Sequence, residues 1–344
     1  MKYCEAPWYT RALILATAQK PQNNATSMTS SLKAAPTLRA TLAGLLAVAF
    51  AALATPPAAA ASDATTAAAS AAASDAPGTI SRQAASAVEP PDAPTVMATI
   101  FDIDGKGETT YEVDNGRVAT YWFGHAFESE GTHYYTGFAW ETAPRYAKPA
   151  GSPTDTQAAT EEEPGPGTRV NLAEATFVLT DPASDKPWKF RGMEPTIGEF
   201  GAYERGEDVD TRRKPLEHRT PAGKLLLAVP TTSFDNGITS DGYALLVFNP
   251  ERLKNDIDGH VWTYVGGVLT GEDNSAACAD GDVMPCTSSK GELVFSQDGR
   301  QDMPTVTVKP SGTTISGPNK TRQLGAADVT AYVFDAATKA YVTK

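Results

Sequence analysis

Residues 107–141 read GETTYEVDNGRVATYWFGHAFESEGTHYYTGFAWE, and this stretch decides the fold class. It holds three runs rich in Thr, Tyr, Trp and Phe, which are residue types enriched in β-strands. Asn115-Gly116 separates the first two runs and indicates a hairpin, because a type I′ turn needs positive φ at both central residues. Ser129-Glu130-Gly131 separates the second and third runs and predicts a three-residue hairpin loop. The stretch therefore predicts an antiparallel three-stranded meander.

The rest of the chain continues in the same style, with short apolar runs bounded by Gly, Pro, Asn or Asp. Strands are predicted at 98–101, 170–179, 224–229, 242–248, 260–269, 292–295, 305–308 and 328–334, with aromatic return strands at Trp188 and Tyr341. Helical patterns are confined to 250–257 and 323–328. The predicted fold is mostly β, an antiparallel sandwich or an open barrel with little helix, built as one large domain or as two β lobes.

The N-terminal region has the pattern of a secretory signal peptide over residues 28–61. Lys33 and Arg39 precede an apolar run, residues 42–54, and small residues at 59–61 supply a cleavage site. Because a signal peptide carries its charged region at its own start, residues 1–27 are predicted to be an over-extended translation start. We therefore expect a periplasmic or extracellular protein. No membrane span is expected after signal cleavage, because no later apolar run approaches about 18 residues.

Composition divides the remainder of the chain. Residues 62–95 are rich in Ala, Ser, Thr and Pro and are predicted to be a disordered linker. An N-terminal β lobe is predicted at 96–205 and a C-terminal β lobe at 216–344, separated by a highly charged segment. Residues 1–61 carry five Lys or Arg against one Glu, so the rest of the chain has a formal charge of −16 where the whole chain has −12. Such an acidic domain excludes nucleic acid as an expected partner.

Two cysteines follow the predicted signal peptide, Cys278 and Cys286. An even pair in an oxidising compartment predicts a disulfide, here a structural link in the C-terminal lobe. Acidic side chains surround the pair, and hard cations such as Ca²⁺ prefer six to eight oxygen ligands on a preformed loop. The candidate calcium ligands are Glu272, Asp273, Asp280 and Asp282. The alternative is that these residues only form turns and keep the surface charged.

The meander supplies the candidate ligand face. With a three-residue loop, His125 pairs with Tyr135 and Phe127 with His133, so the two imidazoles share one face of the sheet. Trp122 and Trp140 belong to the same aromatic-rich stretch, whose exposed rings could stack on a sugar or contact a partner. The two imidazoles could supply two ligands of a metal site, but such a site needs a third ligand, so the alternative is that they are two polar residues near a hairpin tip. For the aromatic residues, the alternative is burial on both faces of the sheet.

Catalytic motifs are absent from the sequence: it has no Gly-x-Ser-x-Gly elbow, no His-Glu-x-x-His, no phosphate loop and no dinucleotide fingerprint. We therefore expect an exported, non-catalytic β-rich protein, with no required cofactor, that binds a glycan or a cell-envelope protein. The first alternative is a secreted glycan-active hydrolase with paired carboxylates, which only three-dimensional spacing can reveal. The second is a structural module stabilised by Ca²⁺.

Overall fold

The computed structural model describes residue 85 and residues 87–144, 164–254 and 260–344. All of them belong to one compact unit, residues 71–344. The predicted over-extended start, the signal peptide and residues 62–84 of the linker lie outside the described residues. The described chain is mostly β, with three antiparallel sheets of five strands each, none of them closed into a barrel. The prediction of a mostly β antiparallel fold is confirmed, and its form is sandwich-like.

The first sheet contains the predicted meander and extends it by two strands. Its members, in spatial and sequence order, are β1 (Thr110–Val113), β2 (Arg117–Ser129), β3 (Thr132–Glu141), β4 (Val170–Leu179) and β5 (Trp188–Phe200). The hairpin predicted at Asn115-Gly116 is present, with φ of 61° and 67° at these two residues. Its connection is one residue longer than a two-residue turn, because Val113 pairs with Arg117.

The second sheet is the middle layer. It contains β6 (Asp208–Val209), β7 (Leu216–Arg219), β8 (Leu225–Asp235), β9 (Ile238–Phe248) and β10 (Trp262–Asp273). The order is β10-β9-β8, and both β6 and β7 pair with the free edge of β8. A two-residue turn, Asn236-Gly237, joins β8 to β9 with positive φ at both residues.

The third sheet is formed by the C-terminal strands. They are β11 (Ser289–Ser296), β12 (Thr305–Gly317), β13 (Lys320–Gln323), β14 (Thr330–Asp335) and β15 (Ala340–Thr343). The order is β11-β12-β14-β15, with β13 paired to the far half of the long strand β12. Of the helical pattern predicted at 250–257, α2 spans Pro250–Lys254, and residues 255–257 lie outside the described residues. Of the pattern predicted at 323–328, a 3₁₀ turn spans Ala326–Asp328.

A helix covers the outer face of the first sheet, where the sequence predicts a strand at 98–101. This helix, α1 (Ala93–Phe101), begins with an N-cap, because the Asp92 carboxylate accepts a hydrogen bond from the Thr95 amide at 3.0 Å. Val96, Met97 and Ile100 share one helix face and are buried against the sheet. The strand prediction was wrong, because a four-residue apolar run hid this helical spacing. The helix also begins inside the predicted linker.

Two cores hold the three sheets together. Alternate residues of β8 divide between them: Leu225 and Leu227 pack toward the first sheet, and Leu226 and Ala228 toward the third. Both faces of the middle sheet are therefore buried, which explains its continuous apolar runs. The first core contains residues from both predicted lobes, including Trp122 and Trp262. Division into lobes at 206–215 remains a prediction, and this segment contains β6 and the buried Asp210.

Among the described residues, none of the helices has the length and apolar character needed to cross a membrane.

Candidate functional site

The β2–β3 hairpin tip differs by one residue from the sequence prediction. Glu130 and Gly131 form a two-residue turn with φ of 50° and 74°, and Ser129 pairs with Thr132. The predicted loop, Ser129-Glu130-Gly131, was one residue too long, because Glu130 adopts the left-handed conformation that only Gly131 was expected to supply. Such a turn matches the twist of the flanking strands.

This shift moves the two histidines to opposite faces of the sheet. Phe127 pairs with Tyr134 and Glu128 with His133, so His133 shares its face with Tyr135 and α1. His125 lies on the other face with Phe127, toward the middle sheet. A shared site for both imidazoles, as the predicted pairing implied, is therefore excluded by the register.

The aromatic residues of the predicted ligand face are distributed between two cores. Trp122 is 8% exposed and belongs to the core between the first and second sheets, whereas Tyr135 is 6% exposed and lies beneath α1. Trp140 is half-buried and packs on the same core as Trp122. Burial on both faces, the alternative stated for this stretch, therefore accounts for most of its aromatic content.

His125 links the first sheet to the second. Its ring stacks between Phe123 and Phe127, with centroid distances of 6.0 and 6.3 Å. Its Nε2 lies 2.8 Å from Oε1 of Glu217 on β7, and its side chain is only 14% exposed. These contacts hold strand β7 against the hairpin, so His125 positions the neighbouring surface and does not itself face a ligand.

A cavity of about 850 Å³ surrounds the hairpin tip. One part of its lining, Ser129 and Tyr134, lies on the face of Phe127, and another part, Glu128 and His133, lies on the opposite face. The remaining lining comes from the segment before α1 (Ala85, Val88, Pro90), from Trp188, and from Glu217, Arg219 and Gly223. A volume of this size is typical of small-molecule and oligomer sites.

Ser129 is the most informative residue in this cavity. Its side chain is buried, at 4% exposure, and its hydroxyl has no hydrogen-bond partner among the described residues. A buried hydroxyl without a partner costs about 1–3 kcal/mol, so such groups call for an explanation. The guanidinium of Arg219 donates to the backbone carbonyl of Glu128, the residue before Ser129, and this contact fixes the cavity wall beside the hydroxyl.

Glu174 on β4 and Glu194 on β5 are carboxyl residues that pair directly across the two strands. Glu174 is 1% exposed and lies between the first two sheets. Glu194 accepts hydrogen bonds at 2.9 Å from the backbone amides of both Val261 and Trp262. Neither residue lines the cavity at the hairpin tip that is described above. Because Glu174 is almost fully buried, it is not open to a glycosidic bond.

Glu174 is the last residue in a buried series of hydrogen bonds that begins at Trp262. The Trp262 indole N–H donates to Oγ1 of Thr136 at 3.1 Å, the two threonine hydroxyls lie 2.8 Å apart, and Thr176 donates to Glu174 at 2.6 Å. Because Thr176 uses its only hydroxyl proton on Glu174, the Thr136 hydroxyl donates to Thr176, and a Glu174 oxygen is the acceptor at the end of the chain. Burial raises the pKa of Glu174 well above 4.5, and the nearby charge of Glu194 raises it further. Burial therefore favours the neutral form of this carboxyl.

The acidic loop carries the predicted disulfide, between Cys278 and Cys286, with the Cα atoms 5.2 Å apart. The candidate calcium ligands are not gathered around it: Glu272, Asp280 and Asp282 are exposed, and a hydrogen bond from Ser275 lowers the pKa of Asp273. Within the described ranges, no group of three or more His, Cys, Asp or Glu side chains could hold a metal ion. Calcium binding stays a prediction without a geometric site.

Sequence reasoning missed Ser129, Trp188 and Arg219 as one surface, because two of the contributing segments are more than fifty residues away from the hairpin along the chain.

No family model, no curated protein and no solved structure matches this chain.

Proposed function

We propose that this chain is an exported, non-catalytic binding protein that holds a glycan of the cell envelope around the tip of the β2–β3 hairpin. The observation that carries the proposal is the buried, unpartnered hydroxyl of Ser129 in the wall of a cavity of about 850 Å³. A ligand hydroxyl could donate to this oxygen or accept from it, which would remove the cost of leaving it unpaired.

The composition of the cavity supports a polyhydroxylated ligand. Tyr134 and Trp188 provide half-buried aromatic surface, and Glu128, Glu217 and Arg219 provide charged groups around it. Aromatic rings with polar edges suit the apolar face and the hydroxyls of a sugar ring. Because the cavity lining comes from both faces of the hairpin, a chain of sugars would follow it better than a single compact molecule.

Export rests on the predicted signal peptide, and the disulfide between Cys278 and Cys286 supports an oxidising compartment. The non-catalytic part of the proposal is supported by the burial of Glu174, which makes the neighbouring carboxyl pair Glu174 and Glu194 inaccessible to a substrate.

Isothermal titration calorimetry tests this proposal with defined tetrasaccharides of N-acetylglucosamine and of glucose as probes. We expect one series to bind, and Ser129→Ala to weaken it by roughly 2- to 12-fold, the worth of one hydrogen bond between neutral groups. Ser296→Ala, at an exposed serine on β11, is the matched control and should leave the affinity unchanged.

The stability of the variant separates binding from structure. Ser129→Ala removes a hydroxyl that has no hydrogen-bond partner among the described residues, so the ligand-free variant should be at least as stable as the wild type. Absence of binding to every probe, or equal affinity in Ser129→Ala, would refute the proposal. Release of shorter saccharides during incubation would refute its non-catalytic part.

A further inference from the structure

A second cavity, of about 470 Å³, lies where β5 ends beside the middle sheet. Its floor is the end of the β8–β9–β10 ladder, and its other wall comes from Arg169, Gly201 and Glu207. It shares no residue with the cavity around the hairpin tip. Its size falls within the range of about 300–1,000 Å³ that is usual for small-molecule sites.

A bulge in β10 opens this cavity. The register of β10 against β9 shifts between Tyr264 and Gly267, and Gly266 has φ of 108°, a conformation that favours glycine. Bulges are enriched beside functional sites, where they redirect side chains. A Cβ at Gly267 would lie 3.4 Å from the Tyr264 hydroxyl, so glycine leaves this phenol accessible from the cavity.

Several polar side chains of this cavity have no partner among the described residues. Among the described residues, no hydrogen bond or ion pair involves the guanidinium of Arg169 or the carboxylate of Glu207. The same is true of the hydroxyls of Ser233, Ser240 and Tyr264. Burial raises the pKa of Tyr264, so its hydroxyl keeps its proton and can donate.

Glu207 is nevertheless held in a defined place. The indole N–H of the buried Trp122 donates to the backbone carbonyl of Glu207 at 2.8 Å. Arg169 immediately precedes β4, whose first residue, Val170, is fully buried. Arg169 and Glu207 therefore stand at fixed backbone positions around one cavity without pairing with each other. A second carboxylate, Asp241, also lines this cavity, and its Oδ1 is buried with no hydrogen-bond partner in the described part of the chain.

We propose that this second cavity binds a small zwitterion of the amino-acid class, with its carboxylate on Arg169 and its ammonium on the carboxylates of Glu207 and Asp241. An anion alone would leave both carboxylates without a partner, and a cation alone would leave Arg169 without one. A neutral sugar could form hydrogen bonds with these groups, but it would bring no opposite charge to any of them. The hydroxyls of Ser233, Ser240 and Tyr264 then surround the remainder of the ligand.

The experiment is calorimetric titration of the full chain with the twenty L-amino acids, first pooled and then singly. We expect at least one to bind, and its methyl ester and its N-acetyl derivative each to bind at least about tenfold more weakly, because each lacks one charge. Arg169→Ala and Glu207→Gln should each reduce the affinity by a similar factor, and Arg169→Lys should retain part of it.

Each result decides the proposal. Binding of no amino acid, binding of N-acetylglucosamine in their place, or unchanged affinity in both Arg169→Ala and Glu207→Gln would overturn it. Circular dichroism of each variant verifies that the fold is intact, and both substituted side chains are at the surface or half-buried. Ser129→Ala should leave amino-acid affinity unchanged, so failure here and failure of glycan binding at the hairpin tip are distinguishable.

Discussion

Glu174→Gln should change how the stability of the protein depends on pH. Burial raises the pKa of Glu174 above its ordinary value of 4.5, so the folded state keeps a proton that the unfolded state releases. For an acid with a raised pKa, the free energy of unfolding falls as pH rises from the unfolded pKa to the folded one. The slope of this single group reaches about 1.4 kcal/mol per pH unit.

Glutamine is neutral at every pH and still offers an oxygen that can accept the hydrogen bond from Thr176. Between pH 5 and pH 7 we therefore expect the wild type to lose stability relative to Glu174→Gln, by no more than about 3 kcal/mol, which is the limiting slope over two pH units. Urea denaturation at half-unit pH steps, followed by tryptophan fluorescence, measures this difference. Glu199→Gln, at an exposed position on the same sheet, is the matched control. Parallel stability curves for the wild type and Glu174→Gln over this range would refute a protonated core carboxyl.

Two further predictions concern the disulfide and a buried ion cluster. Replacing Cys278 and Cys286 by alanine opens a link with a sequence separation of 8, and urea denaturation should show a loss of about 2–3 kcal/mol. Hydrogen bonds from Arg212 and, to a smaller extent, from Arg213 lower the pKa of Asp210 to about 2. The free energy of unfolding of Asp210→Asn should therefore be lower than that of the wild type by at most about 2 kcal/mol at neutral pH. This contribution is fully present above pH 3.8 and disappears as pH falls toward 2, so equal stability losses at pH 7 and pH 2 would contradict it.

Strand positions could be predicted wherever a strand is apolar and bounded by turn residues. Thr132–Glu141 and Val170–Leu179 begin and end at the residues that the sequence pattern indicates. Local pattern suffices there, because β-branched and aromatic residues face a core and the flanking residues form turns. Strands β6 and β7 could not be predicted in this way, because they have only two and four residues, half of which are exposed, and they exist only through pairing with β8.

The Asn236-Gly237 turn has a clear signal in the sequence, because an Asn-Gly pair favours a two-residue hairpin. It lies between Leu225–Asp235 and Ile238–Phe248, and its two positive φ values are those expected for an Asn-Gly hairpin. The helix Ala93–Phe101 had a comparable signal, an Asp N-cap followed by a proline in the first turn. In contrast, the burial of Glu174 in mid-strand depends on the layer packed above it, and no local pattern reports that layer.

One residue in a turn decides what the hairpin tip can offer to a ligand. Because side chains alternate along a strand, shortening the loop by one residue exchanges the faces of every paired residue. The pattern of the strands is unchanged by this exchange, so the sequence supports both registers, and only the left-handed conformation of Glu130 separates them.

The consequence is functional. In the observed register, the His125 ring forms a hydrogen bond with Glu217 and stacks between two phenylalanine rings. The Ser129 hydroxyl at the hairpin tip has no hydrogen-bond partner in the described ranges, and composition and motif do not single this residue out. Its hydroxyl lies in the wall of a cavity only because β7, which contributes Glu217 and Arg219, packs beside the hairpin. A site of this kind is a property of the packing between sheets, which is why its residue types alone could not predict it.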